Sequence, residues 1–81
     1  MNRTAPEDAA LQWLSIAQKL EAERRIPDSV RAFQQAMAIA PGLAVGWYEF
    51  GRMLRRHGQG DAAEDAFRRA LASGLEAPWE A

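Results

Sequence analysis

Apolar residues recur along this chain at steps of three and four positions, which is the spacing of an amphipathic α-helix. Four such stretches are separated by short segments, and Pro or Gly lies in or directly beside each of these segments. No segment alternates apolar and polar residues over a useful length, so no β-strand is predicted. The four predicted helices run from about Thr4 to Arg25, from Pro27 to Ala40, from Leu43 to Arg56 and from Asp61 to Leu71.

Polar residues and glycines mark the ends of these helices. Thr4–Glu7 and Asp61–Glu64 each have the spacing of a capping box, which favours a helix start. Gly58 and Gly74 are predicted to end the third and fourth helices in the left-handed conformation. The connections are short and therefore make each pair of helices antiparallel. The fold class predicted is all-α, with two antiparallel helical hairpins.

The two predicted hairpins repeat each other in sequence. Large residues at helix-facing positions return 34 residues later, and the small residue Ala17 returns as Gly51. A fixed period in this range is typical of stacked helical arrays. The main pairs are Trp13 with Trp47, Leu20 with Leu54, Ala32 with Ala66, Phe33 with Phe67 and Ala36 with Ala70.

This set of residues resembles two tetratricopeptide repeats. The family's Trp, a small residue four later and the Ala-x-x-x-Phe-x-x-Ala pattern of the second helix occur in it. The resemblance implies repeats at 10–43 and 44–77 within a single domain of residues 1–81, stacked as a short right-handed solenoid. Residues 75–81 would be a short tail or the stub of a capping helix. Ser29, Arg24 and Leu75 depart from the family pattern.

Composition limits the functions that are compatible with this fold. A formal net charge of -1 does not favour nucleic acid as a partner, and no apolar segment is long enough to predict a membrane span or a signal peptide. Cysteine is absent, so neither disulfides nor thiolate metal sites are expected. We therefore expect a cytoplasmic protein.

The sequence offers no residues for catalysis. His57 is the only histidine and has no metal-ligand spacing around it, and no serine has a plausible base. Gly58–Asp61 follows a helix instead of a strand and lacks the lysine that grips phosphate, so it is interpreted as a turn. We expect no catalytic residue, no metal ligand, no cofactor and no enzymatic activity.

The resemblance implies a groove lined by the first helix of each hairpin, where a peptide or protein partner would bind. Arg52, Arg55 and Arg56 share one helix face and could grip carboxylates, which favours an acidic partner. They could instead form a solvated helix end, with Glu49 pairing with Arg52. The candidate partner-binding residues are Leu14, Gln18, Tyr48, Glu49, Arg52, Arg55 and Arg56.

Two of these candidates have alternative roles. Leu14 and Tyr48 could form an apolar platform for a bound peptide, or they could pack inside the fold. The family's clamp for the carboxylate tails of chaperones uses Lys and Asn where this chain has Leu14, Gln18 and Glu49. That particular partner is therefore not expected.

Two repeats are fewer than a stable array usually needs, which leaves the outer face of the fourth helix without a predicted cover. Ala66, Leu71, Leu75 and Trp79 are the candidate residues for self-association as a homodimer through this face. Alternatively, the chain is an excised docking domain of a larger protein, or Trp79 folds back as a cap. The sequence leaves these three interpretations open.

Overall fold

The computed structural model describes residues 6–74, and these form four α-helices. They are α1 (Pro6–Ala22), α2 (Ile26–Ile39), α3 (Ala44–Arg56) and α4 (Gly60–Ala72). The described residues contain no β-strand. The chain divides into two compact units, Met1–Pro41 and Gly42–Ala81, here called unit 1 and unit 2. In each unit the two helices pack against each other, so the prediction of an all-α fold with two helical hairpins is confirmed.

Small side chains dominate the buried stripe of unit 1. Ala10 and Ala17 on α1 are fully buried, as is Ala36 on α2. Ser29 of α2 is also fully buried, and its Oγ donates a hydrogen bond of 2.7 Å to the backbone carbonyl of Ala17. A buried hydroxyl must find such a partner or lose its hydration without compensation. The serine that departs from the repeat pattern therefore links α1 to α2.

Unit 2 brings its two helices together at a glycine. Gly51 lies on the buried side of α3, and a Cβ atom built there would lie only 2.7 Å from Cε1 of Phe67 on α4. Ala63 and Ala70 of α4 are also buried. The absence of a side chain at residue 51 thus allows the aromatic ring to lie directly against the α3 backbone.

The turn between the helices has the same backbone conformation in both units. Gly58 has a φ of +80°, and Arg24, 34 residues earlier, has a φ of +66°. Gly74 has a φ of +101°, so the predicted left-handed conformation of Gly58 and Gly74 is confirmed. An L-residue other than glycine costs roughly 1–2 kcal/mol in this region. Arg24 therefore carries a backbone strain that Gly58 avoids.

The helix ends also keep the period of the sequence. The first helix of each unit ends at Ala22 and Arg56, and the second begins at Ile26 and Gly60, so both pairs are 34 residues apart. This agreement shows that the sequence repeat is accompanied by a repeat of local structure.

One predicted helix start is wrong. The Asp61–Glu64 spacing predicted a capping box, but α4 begins at Gly60, with Gln59 as the cap residue and no side-chain capping bond. The amide of Ala63 donates to the carbonyl of Gln59 at 2.9 Å, which extends the helix by one residue. Asp61 therefore lies inside the first turn, where its charge still suits the helix dipole. Thr4, the other predicted cap, lies outside the described residues.

Between residues 6 and 74, no helix is both long enough and apolar enough to span a lipid bilayer.

Candidate functional site

Two arginines and two aromatic rings form a continuous row on unit 2, here called the guanidinium–aromatic row. The guanidinium of Arg52 lies 5.7 Å from the ring centre of Tyr48, and that of Arg55 lies 5.6 Å from the ring centre of Phe67. The centres of the two rings are 5.9 Å apart, with their planes tilted by 48°. Each of these separations is within the range of favourable cation–π or aromatic contact.

The helical spacing of α3 explains how the row forms. Tyr48, Gly51 and Arg55 follow each other at three- and four-residue steps, so they share one face of the helix. The ring of Phe67 lies against Gly51 and is therefore held between the two side chains that flank the glycine. The row can form because Gly51, which lies between Tyr48 and Arg55 on α3, has no side chain and leaves space for the ring of Phe67.

The charge of the row is partly balanced within α3. Arg52 forms an ion pair of 3.6 Å with Glu49, whose side chain is 25% exposed. The predicted pairing of these residues is confirmed, although an ion pair this close to solvent contributes little to stability. Arg55 is exposed. The row thus presents a guanidinium at each end, with one of them already beside a carboxylate.

An open groove of about 560 Å³ adjoins the row on unit 2, here called the α4 groove. Leu71 lies in it and is 39% exposed. Glu64 and Arg68, both in the lining, form an ion pair of 3.5 Å. The groove therefore combines apolar surface with a rim of charged groups. Its lining residues are Arg55, Gly60, Ala63, Glu64, Phe67, Arg68 and Leu71.

A third arginine lies over the repeated tryptophan of unit 2. The guanidinium of Arg69 is 5.0 Å from the ring centre of Trp47, and its Nε donates to Asp65 at 3.0 Å. The carboxylate and the ring both hold this side chain. We interpret it as a structural contact, because its Nε–H is already donated to a carboxylate at 3.0 Å, whereas Arg52 has only the longer ion pair of 3.6 Å with Glu49.

The structure separates the two candidates for an apolar platform. Leu14 is only 5% exposed, because it lies on the same stripe of α1 as the buried Ala10 and Ala17. Its prediction as a partner-binding residue is wrong, and the alternative of core packing applies. Tyr48 is half-buried and belongs to the guanidinium–aromatic row. Gln18 is exposed on α1 of unit 1.

The candidate residues for self-association differ in their exposure. Ala66 is 2% exposed and shares the buried stripe of α4 with Ala63 and Ala70, so its prediction as an uncovered surface residue is wrong. Leu71 is accessible and lies in the α4 groove. Leu75 and Trp79 lie outside the described residues. Arg56, the remaining partner-binding candidate, is exposed.

Sequence reasoning missed the part played by Phe67 and the first half of α4. The repeat placed Phe67 at the same helix-facing position as Phe33, which is 1% exposed, yet Phe67 is half-buried. Gly60 and Glu64 line the groove but were predicted only as a turn and a cap. No signal in the sequence distinguishes the two phenylalanines, because they occupy equivalent positions in the repeat.

Within the described part of the chain, no three His, Cys, Asp or Glu residues are close enough together to hold a metal ion. Comparison with protein-family models, with curated proteins and with solved structures found no significant match to this chain.

Proposed function

We propose that this chain is a non-catalytic protein-interaction module of the tetratricopeptide type, and that unit 2 binds an acidic segment of a partner protein. The observation that carries the proposal is the guanidinium–aromatic row beside the α4 groove. A row of this kind offers cationic hydrogen-bond donors and apolar surface within the span of a short peptide. Peptide recognition commonly needs both.

Contact with an aromatic ring is compatible with carboxylate binding by the same arginine. A guanidinium has five N–H donors in its plane, so a group that lies over a ring still has donors available for a carboxylate. Contact with the ring also restricts the side chain before a ligand arrives, which lowers the entropy lost on binding. The guanidinium groups of Arg52 and Arg55 lie over the rings of Tyr48 and Phe67, within cation–π range.

The repeat of local structure supports the assignment to the tetratricopeptide type. Helix ends and the left-handed turn residue recur at the same 34-residue interval as the sequence pattern. The residue pairs that carry the resemblance include the small residues Ala17 and Gly51, both buried on the first helix of their unit. Proteins built from such repeats act through exposed surfaces instead of catalytic groups.

The test is peptide binding measured by fluorescence anisotropy on an array of labelled peptides with two or three acidic residues around a leucine or an aromatic residue. The double variant Arg52→Gln/Arg55→Gln should bind at least about tenfold more weakly, since charged hydrogen bonds contribute about 1.5–3 kcal/mol each. Arg52→Lys/Arg55→Lys keeps the charge but loses the planar fork, so its affinity should lie between those of the glutamine variant and the native chain.

A matched control removes the same charge from unit 1. Arg24→Gln/Arg31→Gln alters two exposed arginines of unit 1. The peptide affinity of this variant should stay within about twofold of that of the native chain, because salt screens the long-range effect of the lost charge. Equal weakening by both glutamine pairs would refute the assignment to unit 2. Tighter binding of a single-stranded oligonucleotide than of any acidic peptide would refute a protein partner.

A further inference from the structure

We propose that a second copy of this chain can occupy the α4 groove, by inserting the exposed face of its α1 helix. This inference rests on the groove of the proposed function and names an occupant that would compete with the acidic partner.

The α4 groove has an apolar floor and an excess of positive charge. Phe67 and Leu71 are four residues apart on α4 and therefore share one face, and both line the groove. The charged members of the lining are Arg55, Arg68 and Glu64. Because Glu64 pairs with Arg68, the groove retains one net positive charge, and Arg55 is the exposed group that carries it.

The first two turns of α1 have the opposite character. Glu7 and Asp8 are exposed in the first turn, and Leu11 is 47% exposed, the largest exposed fraction among the big apolar side chains described. Leu11 follows these acids by four and three residues, so all three lie on one side of the helix. No basic residue occurs from Pro6 to Gln18.

The two surfaces are complementary in both charge and polarity. Leu11 of one copy would pack against Phe67 and Leu71 of the next, while Glu7 and Asp8 would face the arginines of the rim. This is the helix-in-groove mode of recognition. A single helix face of this length buries less surface than a stable dimer needs, so the association should be weak and sensitive to salt.

Each copy carries both surfaces, so one contact between two copies leaves one α1 and one groove unused. These two surfaces can pair reciprocally in a closed dimer or bind further copies in a chain. Because each filled groove excludes a peptide, apparent peptide affinity should fall as the protein becomes more concentrated.

Sedimentation velocity over a concentration series tests this inference on the full chain. The native chain should show a weight-average mass that rises above that of a monomer as its concentration increases. Glu7→Arg/Asp8→Arg and Arg55→Glu/Arg68→Glu should each associate at least about tenfold more weakly, since like charges then face each other. An equimolar mixture of these two variants should associate again, because every contact between unlike copies is complementary.

The control Arg24→Glu/Arg31→Glu reverses two charges outside both surfaces and should associate like the native chain. Leu11→Ser tests the apolar contribution and should weaken association without changing net charge. Helical circular dichroism confirms that each variant is folded. A native chain that stays monomeric at millimolar concentration would overturn the inference, and so would a mixture of the two reversed variants that fails to associate.

The same variants separate this inference from the proposed function. Glu7→Arg/Asp8→Arg should lose self-association but keep its affinity for an acidic peptide, whereas Arg55→Glu/Arg68→Glu should lose both. If the native chain is monomeric and peptides still bind unit 2, only the inference falls. If no peptide binds while the mixed variants restore association, the inference stands and the proposed function falls.

Discussion

Replacing Gly51 by alanine tests the contact on which the geometry of unit 2 depends. An alanine Cβ would lie 2.7 Å from Cε1, 2.8 Å from Cδ1 and 3.1 Å from Cζ of Phe67. Nonbonded carbon atoms prefer separations of about 3.5–4.0 Å. The ring of Phe67 would therefore have to move away from α3 by roughly 0.8 Å.

Two opposing effects set the size of the change. Overpacking of this kind costs about 1–3 kcal/mol, whereas replacing glycine by alanine within a helix gains roughly 1 kcal/mol. Phe67 is half-buried and can move, but movement weakens its contacts with Tyr48 and Arg55. We expect Gly51→Ala to lower the free energy of unfolding by about 1 kcal/mol, and Gly51→Leu to lower it by more than about 2 kcal/mol.

Urea denaturation followed by helical circular dichroism measures the effect. Gly60→Ala is the matched control, because Gly60 is also helical and a Cβ there would meet no atom within 4 Å. That control should be neutral or stabilising by up to about 1 kcal/mol. In a Phe67→Ala background, Gly51→Ala should become stabilising, since the clash is gone. A native-background Gly51→Ala that is as stable as the Gly60→Ala control would refute the packing argument.

Three further substitutions, each followed by denaturation, test the buried hydrogen bond of unit 1 and the left-handed turn residue of each unit. Ser29→Ala removes the 2.7 Å bond to Ala17 and should cost about 0.5–1.5 kcal/mol; an unchanged midpoint would mean that this bond contributes nothing net. Arg24→Gly relieves a φ of +66° and should stabilise by up to about 1 kcal/mol, after the greater entropy of the unfolded glycine is counted. Gly58→Ala introduces the same strain at a φ of +80° and should cost about 1 kcal/mol. Arg24→Gly and Gly58→Ala effects of the same sign would contradict the shared left-handed conformation.

Local signals allowed the sequence to predict much of the fold. The 3.6-residue period fixes which residues lie together on a helix, so four helices and the buried alanines of α2 and α4 followed from pattern alone. Gly58 and Gly74 were recognised because a left-handed terminator favours a residue without Cβ. Arg24 adopts the same conformation, and only its place in the 34-residue repeat relates it to Gly58.

The candidate site depended on tertiary packing more than the helices and turns did. The apolar stripe of a helix is wider than the surface that its partner helix covers. Periodicity alone therefore did not decide which stripe residues are buried, and only the structure shows that Leu14 is buried while Tyr48 remains accessible. The same limit applies to Phe33 and Phe67, which share a repeat position but differ in exposure.

Gly51 shows most clearly what each level determined. The sequence by itself determined that a small residue stands at this position in both repeats, as Ala17 and as Gly51. Only the tertiary structure decided that a methyl group there would displace the ring of Phe67, and that this ring joins two arginines into a row. The reason is physical: a residue's size is a property of the chain, whereas the distance to a facing helix is set by every side chain between them.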